Sequence, residues 1–239
     1  MPIKSVLLFV ITGSVSAITL AQSCENLDSI SLPNVVVDET ELVDAGSFVP
    51  PGSNANNSMI YENLPDFCRV SLSLTPSADS DIHMELWLPV GTWNGKYLAV
   101  GNGAFTGNVR HSAMAMPLSR GYATSSTDTG HLGNTASFAL GHPEKVYDFG
   151  WRAVHEMAET SKVLINAFYD DALHYSYFTG CSAGGRQAMK EAQRFPADFD
   201  GIVAGAPGLD WTGRAAAALR IETHLKSNPS AQLKQSERE

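Results

Sequence analysis

Residues 175–184 read Tyr175–Ser176–Tyr177–Phe178–Thr179–Gly180–Cys181–Ser182–Ala183–Gly184. The first five are mostly aromatic or β-branched and suit a buried strand. The last five fit the pattern G-x-S-x-G. In that pattern a strand hands over to a helix through a turn so tight that the serine backbone is strained, and its hydroxyl is held above the sheet. Small residues on either side keep the turn clear of its neighbours. A helix is expected from about Gly185 to Arg194, ended by Pro196. Its unpaired N–H groups and the positive end of its dipole point at the serine. Ser182 is therefore the candidate nucleophile, and the amide of Ala183 a candidate oxyanion donor.

Outward from this stretch, short apolar strands alternate with helical patterns. Val70, Leu72 and Leu74 alternate with serines, and residues 82–88 alternate up to Pro89. Trp93–Asn94–Gly95–Lys96 reads as a turn. Tyr97–Leu98–Ala99–Val100 is a short apolar strand running into Gly101–Asn102–Gly103–Ala104. Residues 122–127 and 202–206 are further strands. A long helix is expected from near Pro143, where Val146, Phe149, Ala153, Met157, Leu164 and Phe168 share one face. This alternation predicts an α/β fold, with a mostly parallel sheet, helices on both faces and right-handed crossovers. Beyond Trp211 the pattern weakens. Residues 215–218 favour a helix, and residues 227–239 read as a polar tail.

A nucleophile elbow needs a second oxyanion donor, usually from a loop after an earlier strand. The glycine-rich loop after Val100 is the candidate, with Gly103 or Ala104 supplying the amide. One such donor is worth about 3 kcal/mol of transition-state stabilisation.

The chain has 239 residues, 44% of them hydrophobic and 17% charged, which excludes a disordered polymer. A net charge of -9 without a basic run argues against a nucleic-acid partner. Residues 1–21 read as a secretory leader, with Lys4 at its start, an apolar run from Val6 to Ile11, and small residues at Ala17 and Ala21. Thr12, Gly13, Ser14 and Ser16 interrupt that run too early for a membrane span. No later segment is apolar enough to cross a bilayer, so a membrane partner is not expected. Outside the cell thiols tend to pair, and three cysteines (Cys24, Cys68 and Cys181) leave one over. Asn56–Asn57–Ser58 is a formal glycosylation sequon at Asn56.

The elbow block Gly180–Cys181–Ser182–Ala183–Gly184–Gly185–Arg186–Gln187 resembles the tannase and feruloyl esterase family. So does Glu191–Ala192–Gln193–Arg194–Phe195–Pro196, with the run Asp198–Phe199–Asp200–Gly201–Ile202–Val203–Ala204–Gly205–Ala206–Pro207. Upstream, Gly121–Tyr122–Ala123, Asp128–Thr129–Gly130–His131 and Arg152–Ala153–Val154–His155–Glu156 are similar too. The resemblance spans roughly residues 24–220. It implies an α/β-hydrolase fold and a secreted serine esterase acting on small aromatic esters or plant-polymer esters, with Ser182 as nucleophile. It also implies that Cys24 pairs with Cys68. In the family a cysteine in the position of Cys181 is bonded to one beside the catalytic histidine, and that partner is not in this sequence. Cys181 is then a free buried thiol or a link between chains.

In α/β-hydrolases the order is Ser, then Asp or Glu, then His. Only His224 follows Ser182, in a polar helix-like stretch, and Asp198, Asp200 and Asp210 follow the elbow helix too soon. Asp200 is expected to brace the strand at Ile202, and Arg186 to pair with a nearby carboxylate. His131 and His155 match the family pattern without being its base, and His131 is expected to line a pocket with Asp128. His83, His111, His142 and His174 are expected on the surface or in the core. The chain is thus expected to be a partial α/β-hydrolase domain (residues 22–226), C-terminally truncated. The family's lid with its calcium site and the last core strands lie beyond it. No metal or cofactor is expected in this chain, and its oligomeric state is left open. A half sheet should leave an unpaired edge and an uncovered apolar face. Two other readings stand beside the esterase: a non-catalytic secreted fragment with a binding pocket, and an enzyme using Cys181. The last is disfavoured because Ser182 holds the centre of the elbow.

Overall fold

The computed structural model of the chain describes residues 23–52, 59–169 and 171–231. The leader at residues 1–21, the sequon at Asn56 and the tail from residue 232 onward lie outside the described residues.

Seven strands form one sheet: β1 (Val35–Val43), β2 (Phe67–Leu74), β3 (Ile82–Pro89), β4 (Lys96–Val100), β5 (Ala123–Thr127), β6 (Tyr175–Cys181) and β7 (Gly201–Gly205). Their order is β1-β2-β3-β5-β4-β6-β7. Five helices accompany them: α1 (His111–Ser119), α2 (Pro143–Tyr147), α3 (Ala153–Phe168), α4 (Ala183–Arg194) and α5 (Trp211–Ser227). The sheet is mixed. β5, β4, β6 and β7 run parallel, as the strand–helix alternation predicts, whereas β1, β2, β3 and β5 pair antiparallel. The reason is connection length. β2 and β3 are joined only by residues 75–81, too few for the crossover that parallel neighbours need.

Alternation along the strands sorts the core onto two faces. Val70, Leu72, Met84, Leu86, Tyr97 and Ala99 pack with Val154, Met157, Ala158, Leu164 and Ile165 of α3 and Ala188 of α4. On the other face Phe67, Trp87 and Val100 pack with Met114, Ala115 and Leu118 of α1 and with Phe48, Tyr61 and Leu64. β1 escapes a reading by alternation because Asp38, Glu39 and Glu41 sit on it and most of it is exposed. Charges of this kind are how edge strands avoid pairing with other chains. At the opposite edge lies β7, with Val203 65% exposed. α5 buries none of its residues and leaves Leu219 and Ile221 exposed. The expected open edge and uncovered apolar surface are therefore both present among the described residues. No helix among the described residues is long and apolar enough to cross a membrane.

Cys24 and Cys68 form a disulfide, tying the 3-10 helix Cys24–Ser29 to β2. A bridge closing a loop of this size removes about 4 kcal/mol of chain entropy from the unfolded state.

One buried ion cluster braces the α1 face. Glu85 on β3 receives two hydrogen bonds from Arg69 (2.6 and 3.0 Å), one from Trp87 Nε1 (2.9 Å) and contacts His111 Nε2 at 3.1 Å. Burial alone would raise its pKa, but the bonds from His111 and Arg69 outweigh it and hold the carboxyl at about 2. A depressed carboxyl stabilises the fold above its unfolded pKa and loses that contribution as pH falls toward the folded value. The shift corresponds to roughly 3 kcal/mol. We therefore expect the stability gap between wild type and Glu85→Gln, measured by urea denaturation, to shrink by about 3 kcal/mol between pH 5 and pH 2. A gap that stays constant across that window would show that Glu85 is not held ionised.

Candidate active site

β4 and β6 are parallel neighbours, pairing Lys96 with Tyr175 through Val100 with Thr179. Their C-terminal ends therefore open side by side. The chain leaves β4 for β5 on one side and returns to β6 on the other, and α/β sheets bind ligands outside such a switch point.

Ser182 is the single residue between β6 and α4. Its backbone stands at φ 61° and ψ -112°, a conformation that costs a non-glycine residue about 1–3 kcal/mol. Three hydrogen bonds hold it there. The Ser182 amide donates to Gly205 O (3.0 Å), and its carbonyl accepts from Arg186 N (3.0 Å) and Gly208 N (3.0 Å). Ser182 is exposed, and its hydroxyl has no hydrogen-bond partner among the described residues. The flanking glycines leave no room for a side chain at two positions and little at the third. A Cβ at Gly180 would collide with the Gly184 backbone, one at Gly184 would lie 3.0 Å from Asn102 O, and one at Gly185 would collide with Gly205 O.

The loop after β4 is locked to the elbow helix. Gly184 N donates to Asn102 O (2.9 Å), and Gly101 N to Thr179 O (2.9 Å). Asn102 and Gln187 bind each other in both directions: Asn102 N donates to Gln187 Oε1 (2.9 Å), and Gln187 Nε2 donates to Asn102 Oδ1 (3.1 Å). Asn102 Nδ2 also donates to Thr127 O (2.7 Å). Both residues are buried. This clamp escaped the sequence reading, although an asparagine between two glycines at a strand end was its visible trace. The amides of Ala183, Gly103 and Ala104 have no acceptor among the described residues. Ala183 is buried at the start of α4, and Gly103 is half-buried in the loop that Asn102 fixes to that helix.

An aromatic wall stands next to this loop. Phe105 lies 5.2 Å from Trp211 and 5.6 Å from Phe149, ring centre to ring centre. Trp211 begins α5, just after the Gly208 amide that binds Ser182. Arg186 is not paired with a carboxylate, contrary to expectation. It donates to Gly150 O (2.9 Å) and Phe149 O (3.1 Å), with its guanidinium 4.7 Å from the Phe149 ring centre. Both carbonyls belong to a π-helical turn, Asp148–Arg152, between α2 and α3. A π turn disrupts the regular helical ladder and frees carbonyls for outside donors.

None of the seven histidines hydrogen-bonds Ser182. His224 lies on exposed α5 and contacts only Asn228 and its own helix. His155 contacts Asp198, His111 contacts Glu85, His142 contacts Asp79, His174 contacts Asp171, and His83 contacts Ser73 and Asp81. His131 is buried, stacked on Phe138 at 3.9 Å, with Nε2 2.8 Å from Phe105 O. It does line a cavity of about 400 Å³ with Asp128 and Lys145, but Ser182 is not part of that wall. Burial pushes the Asp128 carboxyl up to about 6, against the amides of Gly130 and His83 that bind its Oδ1. Asp200 is a structural hydrogen-bonding residue beside β7, as expected, but the strand its carboxylate braces is the neighbouring β6: its Oδ2 accepts from Ser176 N at 2.7 Å. Cys181 is a free thiol, exposed rather than buried as expected.

A family profile described as tannase and feruloyl esterase matches residues 68–237. An uncharacterized esterase of Xanthomonas campestris is 40% identical over 224 residues, which cover 93% of this chain and 37% of that protein. The crystal structure of feruloyl esterase B from Aspergillus oryzae superposes with a TM-score of 0.70 at 40% identity, over 77% of this chain and 36% of that one. The tannin acyl hydrolase of Aspergillus niger superposes at 0.59 with 27% identity, over 77% and 35%. The chain thus spans little more than a third of the length of these relatives.

Proposed function

The chain belongs to the tannase and feruloyl esterase family, and on that premise we propose that it is a carboxylic ester hydrolase with Ser182 as its nucleophile. The observation that carries this reading is the strained Ser182 backbone with an exposed, unengaged hydroxyl beside the unpaired amide of Ala183. Ser182 Oγ attacks the ester carbonyl while its proton passes to solvent or an added base, which returns a proton to the departing alkoxide. The oxyanion accepts hydrogen bonds from Ala183 N–H and from Gly103 N–H, each worth about 3 kcal/mol in the transition state. The alcohol leaves, and water then hydrolyses the acyl-serine. Phe105 and Trp211 offer an aromatic wall, which supports an aromatic acid as the acyl group. The leader pattern and the Cys24–Cys68 bridge support secretion.

The chain supplies the nucleophile and the oxyanion side. The proton acceptor is not supplied by any of its histidines as folded, so turnover by the chain alone is slow. The test is hydrolysis of methyl ferulate, methyl gallate and an aliphatic nitrophenyl ester with and without added imidazole. Hydrolysis lost on Ser182→Ala, and favouring the aromatic acids, supports the proposal. Identical rates for wild type and Ser182→Ala under both conditions would leave a binding fragment instead.

A further inference from the structure

Behind the elbow helix, α3, α4 and the turn after α4 bring three side chains together. His155, Glu191 and Asp198 each offer one ligand atom, and these atoms lie within 4.8 Å of one another. His155 Nδ1 is 2.7 Å from Asp198 Oδ2. Glu191 and Asp198 are 0% and 4% exposed. Neither carboxylate oxygen of Glu191 has an N–H or hydroxyl donor among the described residues, and the polar group facing it is the Asp198 carboxyl. The one ammonium nearby, Lys162 Nζ, lies 3.9 Å from Asp198 Oδ1 and forms no ion pair with Glu191.

A carboxylate buried without a donor is costly, so such a group either holds a proton or faces a cation. We propose that His155, Glu191 and Asp198 bind a divalent ion of the zinc class. One imidazole nitrogen with two carboxylate oxygens is a donor set that zinc accepts, with water completing a tetrahedron. With the imidazole unprotonated, the two carboxylates outnumber the one lysine, so the cluster attracts a cation. The His155 side chain is 27% exposed, which opens a path for the ion and room for the water. Its ring is held by stacking on Phe195 at 3.9 Å. Glu191 is nine residues from Ser182, or about 13 Å along the helix. The site therefore ties α4 to α3 and does not take part in ester cleavage.

The experiment is to equilibrate the full chain with equimolar zinc, remove free metal by gel filtration, and measure retained zinc by mass spectrometry beside the melting temperature. We expect about one zinc per chain and a raised melting temperature. Glu191→Gln, which keeps the shape of the side chain, and His155→Gln should each weaken binding about tenfold or more. Glu222→Gln, on exposed α5, should change nothing and controls for loose binding to an acidic surface. If Glu191→Gln does not fold, His155→Gln at the half-exposed position decides. No retained zinc in wild type, or equal retention in a folded variant of the site, overturns the proposal and leaves a shared proton as the account of Glu191.

Discussion

A nitrophenyl ester assay of the chain alone should return a kcat about a million-fold below that of a complete serine esterase, the cost measured when a triad loses its base. Adding imidazole should raise the rate by about tenfold or more, because a diffusible base then does part of what a positioned one does. The reason is local. The Ser182 hydroxyl is exposed and unengaged, the amide beside it is free, and none of the seven histidines hydrogen-bonds it. Imidazole cleaves such esters by itself, so the Ser182→Ala chain at the same imidazole concentration is the baseline. The predicted gain is what wild type shows above that baseline. Full turnover without imidazole would mean that a histidine reaches Ser182 in solution, and the account of the missing base would be wrong.

Gly185→Val should cost about 3 kcal/mol or more and lower the melting temperature by several degrees. The backbone at Gly185 is helical, so the cost is not one of conformation. Even a Cβ there meets fixed backbone: it would collide with Gly205 O and lie 2.9 Å from Pro207 Cα. Gly205 O also accepts the Ser182 amide, so the substitution pushes α4 away from β7 at the bond that holds the elbow. Melting and urea midpoints read the loss of stability. Gly150→Ala is the control, since a Cβ there meets nothing within 4 Å, and it should stay within about 0.5 kcal/mol of wild type. Equal midpoints for Gly185→Val and wild type would show that α4 and β7 are not packed this closely.

What could be read in advance was what neighbours in sequence determine. The elbow lies within five consecutive residues, and its strand and helix are short-range patterns. The loop at Gly101–Gly103 was legible for the same reason, through its glycines. The Asn102–Gln187 clamp joins residues 85 apart, and nothing local in either residue names the other. Arg186 was misread because a carboxylate is the commonest partner for a guanidinium. The π turn that offers it carbonyls instead has no simple residue signature. β1 was hidden because an edge strand buries little and so needs no apolar alternation. α1 was hidden by its nine-residue length and by Pro117 within it. The antiparallel half of the sheet follows from short connections, which become informative only once both flanking strands are recognised.

The most direct test of the account is to treat the chain with a fluorophosphonate in the presence of imidazole and map the modified residue by peptide mass spectrometry. The account predicts one adduct, on Ser182, growing with imidazole concentration and absent from Ser182→Ala. An unmodified Ser182 alongside a labelled Cys181, or no adduct at any imidazole concentration, would contradict it.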